Sequence, residues 1–103
     1  MRLVGAGLLG DLNKRELTGK HSSKSGTYLN LLRKYRKNVE LYYDDNVSDT
    51  LKIDLLHKLM KILLEVADIK TEGWMREAYN TLHDEMLTRL PGYDIENYEY
   101  LFD

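Results

Sequence analysis

Three glycines near the start of the chain, Gly5, Gly7 and Gly10, stand in the G-x-G-x-x-G order that lets a backbone approach a pyrophosphate. That chemistry also requires a preceding strand, a following helix, a second parallel strand and an acid about twenty residues on. Here a short apolar lead is followed by a polar stretch, and no Asp or Glu occurs between Glu16 and Glu40. The string is therefore read as an apolar tip that packs on the rest of the chain or on a partner. Gly19-Lys20 fails as a phosphate loop too, because His21 stands where Ser or Thr must hold magnesium and Lys14 occupies the place of the leading glycine.

The histidines are His21, His57 and His83. Asp54 and His57 lie at i, i+3, a spacing that metal sites in helix bundles use, but such sites need a second helix with inward-facing carboxylates. This pair falls on a polar wedge, so no metal site is expected. Glu65, Asp68 and Glu77 are read as solvated for the same reason, since acid–base catalysis is best served by a desolvated carboxyl of raised pKa. Cysteine is absent, which excludes disulfides, thiolate metal sites and a thiol nucleophile. An enzyme would need a polar cleft lined by Asp54, His57 or His83, and none is expected. The reading is non-enzymatic, with no catalytic residue, cofactor or small-molecule substrate.

Charge carries more information. The first forty residues hold nine Lys and Arg against three Asp and Glu, and the remaining sixty-three hold six against fourteen. Blocks of one sign point to oppositely charged partners. Lys14, Arg15, Lys20 and Lys24, together with Arg33, Lys34, Arg36 and Lys37, could neutralise phosphates of a nucleic acid through salt-sensitive, sequence-independent contacts. Against this, cations beside an apolar stripe also keep any helix soluble, and a pI near 5.9 is far below that of typical nucleic-acid-binding domains. No convincing helix-turn-helix pattern supports sequence-specific readout.

The elements that would position these groups are helical. Asp11 to Gly26 is polar and rich in Ser and Gly, and reads as a mobile basic arm. From Thr27, as N-cap, Tyr28, Leu31, Leu32, Tyr35, Val39, Tyr42 and Tyr43 recur with the period of one helix face, which turns Arg33, Lys34, Arg36 and Lys37 away from it. Asp44, Asp45 and Asn46 end that helix. Ser48 caps a second, running to about Ile69, in which twelve of nineteen positions from Leu51 are apolar. So wide an apolar surface needs neighbours on two or three sides, from this chain or another subunit. Leu55, Leu59, Ile62, Val66 and Ile69 keep a 4-3-4-3 spacing suited to knobs-into-holes packing, and are the candidate interface. A third helix follows Lys70 to Gly73, with Trp74, Met75, Ala78, Tyr79, Leu82, Met86 and Leu90 as its stripe, and stops at Pro91-Gly92. The alternative is one long helix running through Gly73. Gly92 to Asp103 mixes acids with aromatics, and Tyr98, Tyr100 and Phe102 make it a candidate docking tail.

These patterns predict an all-α, three-helix bundle with helices at about 27–43, 49–69 and 73–90, a segment 1–26 of apolar tip and flexible basic arm, and an acidic aromatic tail 91–103. One domain suits 103 residues. No apolar run is long enough to span a membrane, and Met1 to Gly10 is too short and glycine-rich for a signal peptide. A cytoplasmic or virion-associated protein is expected, with a mitochondrial one as the alternative, because a basic, Ser-containing amino terminus suits a targeting segment. The functional expectation is an interaction protein, acting as an oligomer or as a small subunit or regulator of a viral, mobile-element or cellular assembly. Its partner is a protein or a second copy; the alternative is nucleic acid bound by the basic arm and first helix.

Overall fold

Tyr28, Tyr35 and Tyr42 are seven residues apart, so on a helix they fall on one face, and all three are buried along the first helix of the computed structural model. The structure describes Leu8 and residues 23–102. Within residues 23–102 three helices run in order: α1, Ser23–Tyr42; α2, Asp49–Ile69; and α3, Gly73–Arg89, followed by a short 3-10 turn at Glu99–Phe102. Helix α1 and helix α3 point the same way and α2 runs against them, because Tyr28 meets Glu72 at the start of α3 while Tyr42 meets Glu85 and Arg89 at its end. The all-α three-helix bundle is the observed architecture.

Helix α1 begins five residues earlier than its periodicity implies, at Ser23 instead of after Thr27. Serine and glycine are poor helix-interior residues, but in an opening turn, where the first N–H groups have no intrahelical partner, they cost little. The helix ends as the aspartates predict. The Asp44 N–H bonds back to Leu41 O at 3.1 Å, tightening the last turn, and Asn46 N–H donates to Asp44 Oδ1 at 2.8 Å. The Lys52 ammonium of α2 reaches the carbonyls of Tyr42 and Asp44, placing a cation where the dipole of α1 is negative. Ser48 opens α2, its Oγ accepting from Leu51 N–H at 3.2 Å.

In α2 the buried residues are Leu55, Leu56, Leu59, Met60, Ile62, Leu63 and Val66. Leu64 and Ala67 pack partly against the same core, and of the apolar residues of α2 only Leu51 and Ile69, at its ends, are exposed. Helices α1 and α3 supply two of the sides that this apolar breadth demands. The continuous-helix alternative fails at Lys70 and Glu72, both in extended backbone conformation. Glu72 is drawn out of helical register by its own bonds: Oε1 accepts from Tyr28 OH at 2.7 Å and Trp74 Nε1 at 3.0 Å, and its N–H meets Met75 Sδ at 3.1 Å. Trp74, Met75, Ala78, Tyr79, Leu82 and Met86 form the buried stripe of α3, whereas Leu90 is only half-buried. Gly92 turns the chain with φ +82°, a left-handed conformation that favours glycine.

Candidate functional site

The outer side of α1 is the concentrated positive surface among the described residues. With Tyr28, Leu32, Tyr35, Val39 and Tyr42 turned into the core, Lys34 and Lys37 are exposed and Arg33 and Arg36 half-buried. Arg33, Arg36, Lys37 and Glu40 line a shallow, open depression of about 420 Å³. Arg33 Nη1 also donates to Asn30 Oδ1 at 3.2 Å. Asn38, the buried polar residue of this helix, satisfies its amide on the Lys34 carbonyl at 2.7 Å and leaves the Lys34 ammonium uninvolved. Of the other predicted phosphate contacts, Lys24 lies in the first turn of α1, while Lys14, Arg15 and Lys20 fall outside the described residues, as do Gly5, Gly7, Gly10 and His21.

The second surface is acidic and arises where the tail folds back on α3. Tyr79 organises it: its hydroxyl accepts from Tyr98 N–H at 2.7 Å and donates toward Asn97 Oδ1 at 3.4 Å, and its ring packs on Phe102 at 5.1 Å between centroids. Asn97 Oδ1 also takes Glu99 N–H at 2.8 Å, starting the terminal turn. The result is an open polar cleft of about 410 Å³ lined by Tyr79, Asn80, His83, Asp84, Asn97 and Glu99. A polar cleft beside His83 corrects the expectation that none would form. It exists because the tail docks, which no helical period encodes. Its tyrosine hydroxyl is already committed to the backbone, and among the described residues no three His, Asp or Glu groups cluster as a metal site.

Asp54, His57, Glu65, Asp68 and Glu77 are exposed, as their place on the polar faces implies. His57 Nδ1 lies 3.0 Å from Ile53 O and its Nε2 3.4 Å from Tyr93 OH, with the two rings edge to face. With the Nδ1 proton on the carbonyl, Nε2 is the acceptor for the tyrosine. The imidazole thus holds the start of the tail against α2.

The candidate interface residues divide. Leu55, Leu59, Ile62 and Val66 are buried in the chain's own core, so no partner reaches them without opening the bundle. Phe102 is likewise buried, against Tyr79. Tyr98 is half-buried, and Ile69 at 38% and Tyr100 at 68% remain exposed.

Two more tyrosine hydroxyls of α1, those of Tyr35 and Tyr42, link the elements. Tyr35 OH donates to the Leu8 carbonyl at 2.7 Å, and burial pushes its ionisation well above the usual tyrosine range. Leu8, from the apolar tip, is itself fully buried on the bundle. Tyr42 OH donates to Glu85 Oε1 and accepts from Arg89 Nε at 2.9 Å; Arg89 Nη1 continues to Asp49 Oδ1 at 3.1 Å. Burial and the Glu85 carboxylate push the Tyr42 hydroxyl up to about 12. Sequence reading placed Tyr42 on the core face but missed its partners. The seven-residue spacing of the tyrosines was the available signal that polar tips would line up along one face.

Comparison of the chain with protein-family models, with characterised proteins and with solved structures gave no match. Among the described residues no helix is long and apolar enough to cross a membrane.

Proposed function

We propose that this chain is a non-enzymatic helical interaction protein that works by association, as an oligomer or as a small subunit or regulator of a larger assembly. The observation that carries this reading is the contrast between a saturated core and a segregated surface. The middle of α2 is buried against its own chain, and among the described residues no buried side-chain N or O lacks a hydrogen bond. Recognition therefore falls to the outside, where cations gather on α1 and acids beside the tail. A cytoplasmic or virion-associated assembly is the setting proposed, with a mitochondrial one as the alternative. Native mass spectrometry of the purified chain, alone and with nucleic acid, tests the reading, because it reports stoichiometry and partner class together. A persistent 12.1 kDa species that also captures no protein in a pull-down would sink it.

The depression between Arg33, Arg36 and Lys37 favours a second reading, in which α1 and the preceding basic segment lie on nucleic-acid phosphates. Fluorescence anisotropy with a short duplex and a single strand at about 50 and 200 mM salt checks it, because phosphate contacts give steeply salt-dependent affinity. Flat titrations exclude it.

A further inference from the structure

We infer that the outer face of α1 docks a second copy of this chain, its cations set against the acids of the cleft that α3 and the folded tail form on that copy. This inference rests on the association reading and names the partner. Four cations, Arg33, Lys34, Arg36 and Lys37, sit within five residues of α1, and among the described residues the acid lining their depression is Glu40. The cleft presents the opposite pattern: Asp84 and Glu99 line it with the amides Asn80 and Asn97 and the rings of Tyr79 and His83, and no Lys or Arg is among them. Both surfaces are open, of similar size at about 420 and 410 Å³, and carried by different elements. Charge is thus complementary between copies.

The charge of the rest of the molecule favours a second copy over nucleic acid. Fourteen acids lie beyond residue 40, and the net charge is −2. That acidic remainder repels a polyanion approaching α1, whereas in a second copy it is the attracting surface. The contact joins unlike patches, so it is heterologous: each copy has one donor face and one acceptor cleft, and assembly proceeds to a ring or an open chain. Exposed ion pairs are individually weak, so the association is weak and salt-sensitive.

The test uses the full chain in sedimentation equilibrium from about 20 to 500 µM, at about 50 and 500 mM salt. The expected result is a mass above 12.1 kDa that rises with concentration at low salt and returns to 12.1 kDa at high salt. The variants K34Q/K37Q and D84N/E99Q change only exposed side chains, so circular dichroism should show intact helices. Each should weaken association at least about tenfold. Mixed in equal amounts they should regain it and stop at two chains, because the mixture offers one live face and one live cleft. A monomer at every concentration, association indifferent to either variant, or a monomeric mixture overturns the inference. If the chain fails to self-associate but native mass spectrometry finds it bound to another protein, self-docking is overturned and the association reading stands. If a 20-nucleotide strand binds and K34Q/K37Q abolishes that binding while no self-association occurs, the face belongs to nucleic acid and the inference falls.

Discussion

The two ends of the bundle are built around the same contact and differ in what surrounds it. At one end Tyr28 donates to Glu72; at the other Tyr42 donates to Glu85. Glu72 is otherwise served by the Trp74 indole and, at 3.7 Å, by the exposed Lys70 ammonium, so deleting one donor leaves it solvated and partnered. The Tyr42 hydroxyl is the middle of a chain, accepting from Arg89 while donating to Glu85, with Lys52 and Arg89 both near its ring at 5.1 and 5.3 Å. One end is a branched acceptor with spare donors. The other is a relay in which a single hydroxyl joins the ends of α1 and α3, and Arg89 extends it to the start of α2.

Removal of the hydroxyl should expose that difference most sharply. Tyr42→Phe takes one hydrogen-bond partner each from a half-buried carboxylate and a half-buried guanidinium, and should cost about 2–3 kcal/mol in urea unfolding, since bonds to charged groups are the strong ones. Tyr28→Phe should cost about 1 kcal/mol, because Glu72 keeps the indole and the lysine. Equal losses at the two positions would erase the distinction between relay and branch.

Alkaline pH probes the relay end without mutation. The Tyr42 hydroxyl is raised from 10.0 to about 12, so above pH 10 the unfolded chain loses its proton while the folded one keeps it. The unfolded state then binds fewer protons, and stability falls as pH rises from 10 to 12, by about 2 kcal/mol. Below pH 10 both states are protonated and this contribution is fully present. Tyr35 is shifted in the same direction and adds to the loss. Tyrosinate absorbance in the folded protein should lag that of an unfolded reference over this range, and in Tyr42→Phe part of the pH dependence of stability should vanish. An unchanged pH profile in that variant would show that Tyr42 titrates normally.

How much of this was visible in the sequence follows from which contacts are local. Ser48 and Asp49 mark the start of α2 because an N-cap is a three-residue event, and Asp44 to Asn46 mark the end of α1 for similar reasons. The faces of α1 and α3 followed from period alone, down to Tyr28, Tyr35 and Tyr42 on one side and Arg33 to Lys37 away from it. The break at Lys70 to Glu72 stayed open because Glu72 leaves the helix for Tyr28, forty-four positions away. The tail is the clearest case. Its alternating acids and aromatics say only that it could bind something; that Phe102 and the Tyr98 N–H find Tyr79 is a tertiary fact. The cleft at His83, made by that docking, was invisible for the same reason. The wide apolar surface of α2 was legible as a demand for several neighbours, but whether they came from one chain or two depended on how α1 and α3 close around it.

The outermost link of the relay should matter least, and its size tells which part of Arg89 holds the end together. Asp49 is 87% exposed, so its 3.1 Å pair with Arg89 is screened by water and salt, and Asp49→Ala should cost no more than about 1 kcal/mol, part of it from losing an acid at the positive end of α2. Arg89→Lys should cost more. An ammonium keeps the charge but cannot present one donor to Tyr42 and another to Asp49 in the fixed geometry of a guanidinium, so the inner bond is the one forfeited. If Arg89→Lys proves harmless while Asp49→Ala does not, the relay is held from its exposed rim, and the buried Tyr42 hydroxyl is incidental to how the three helix ends are joined.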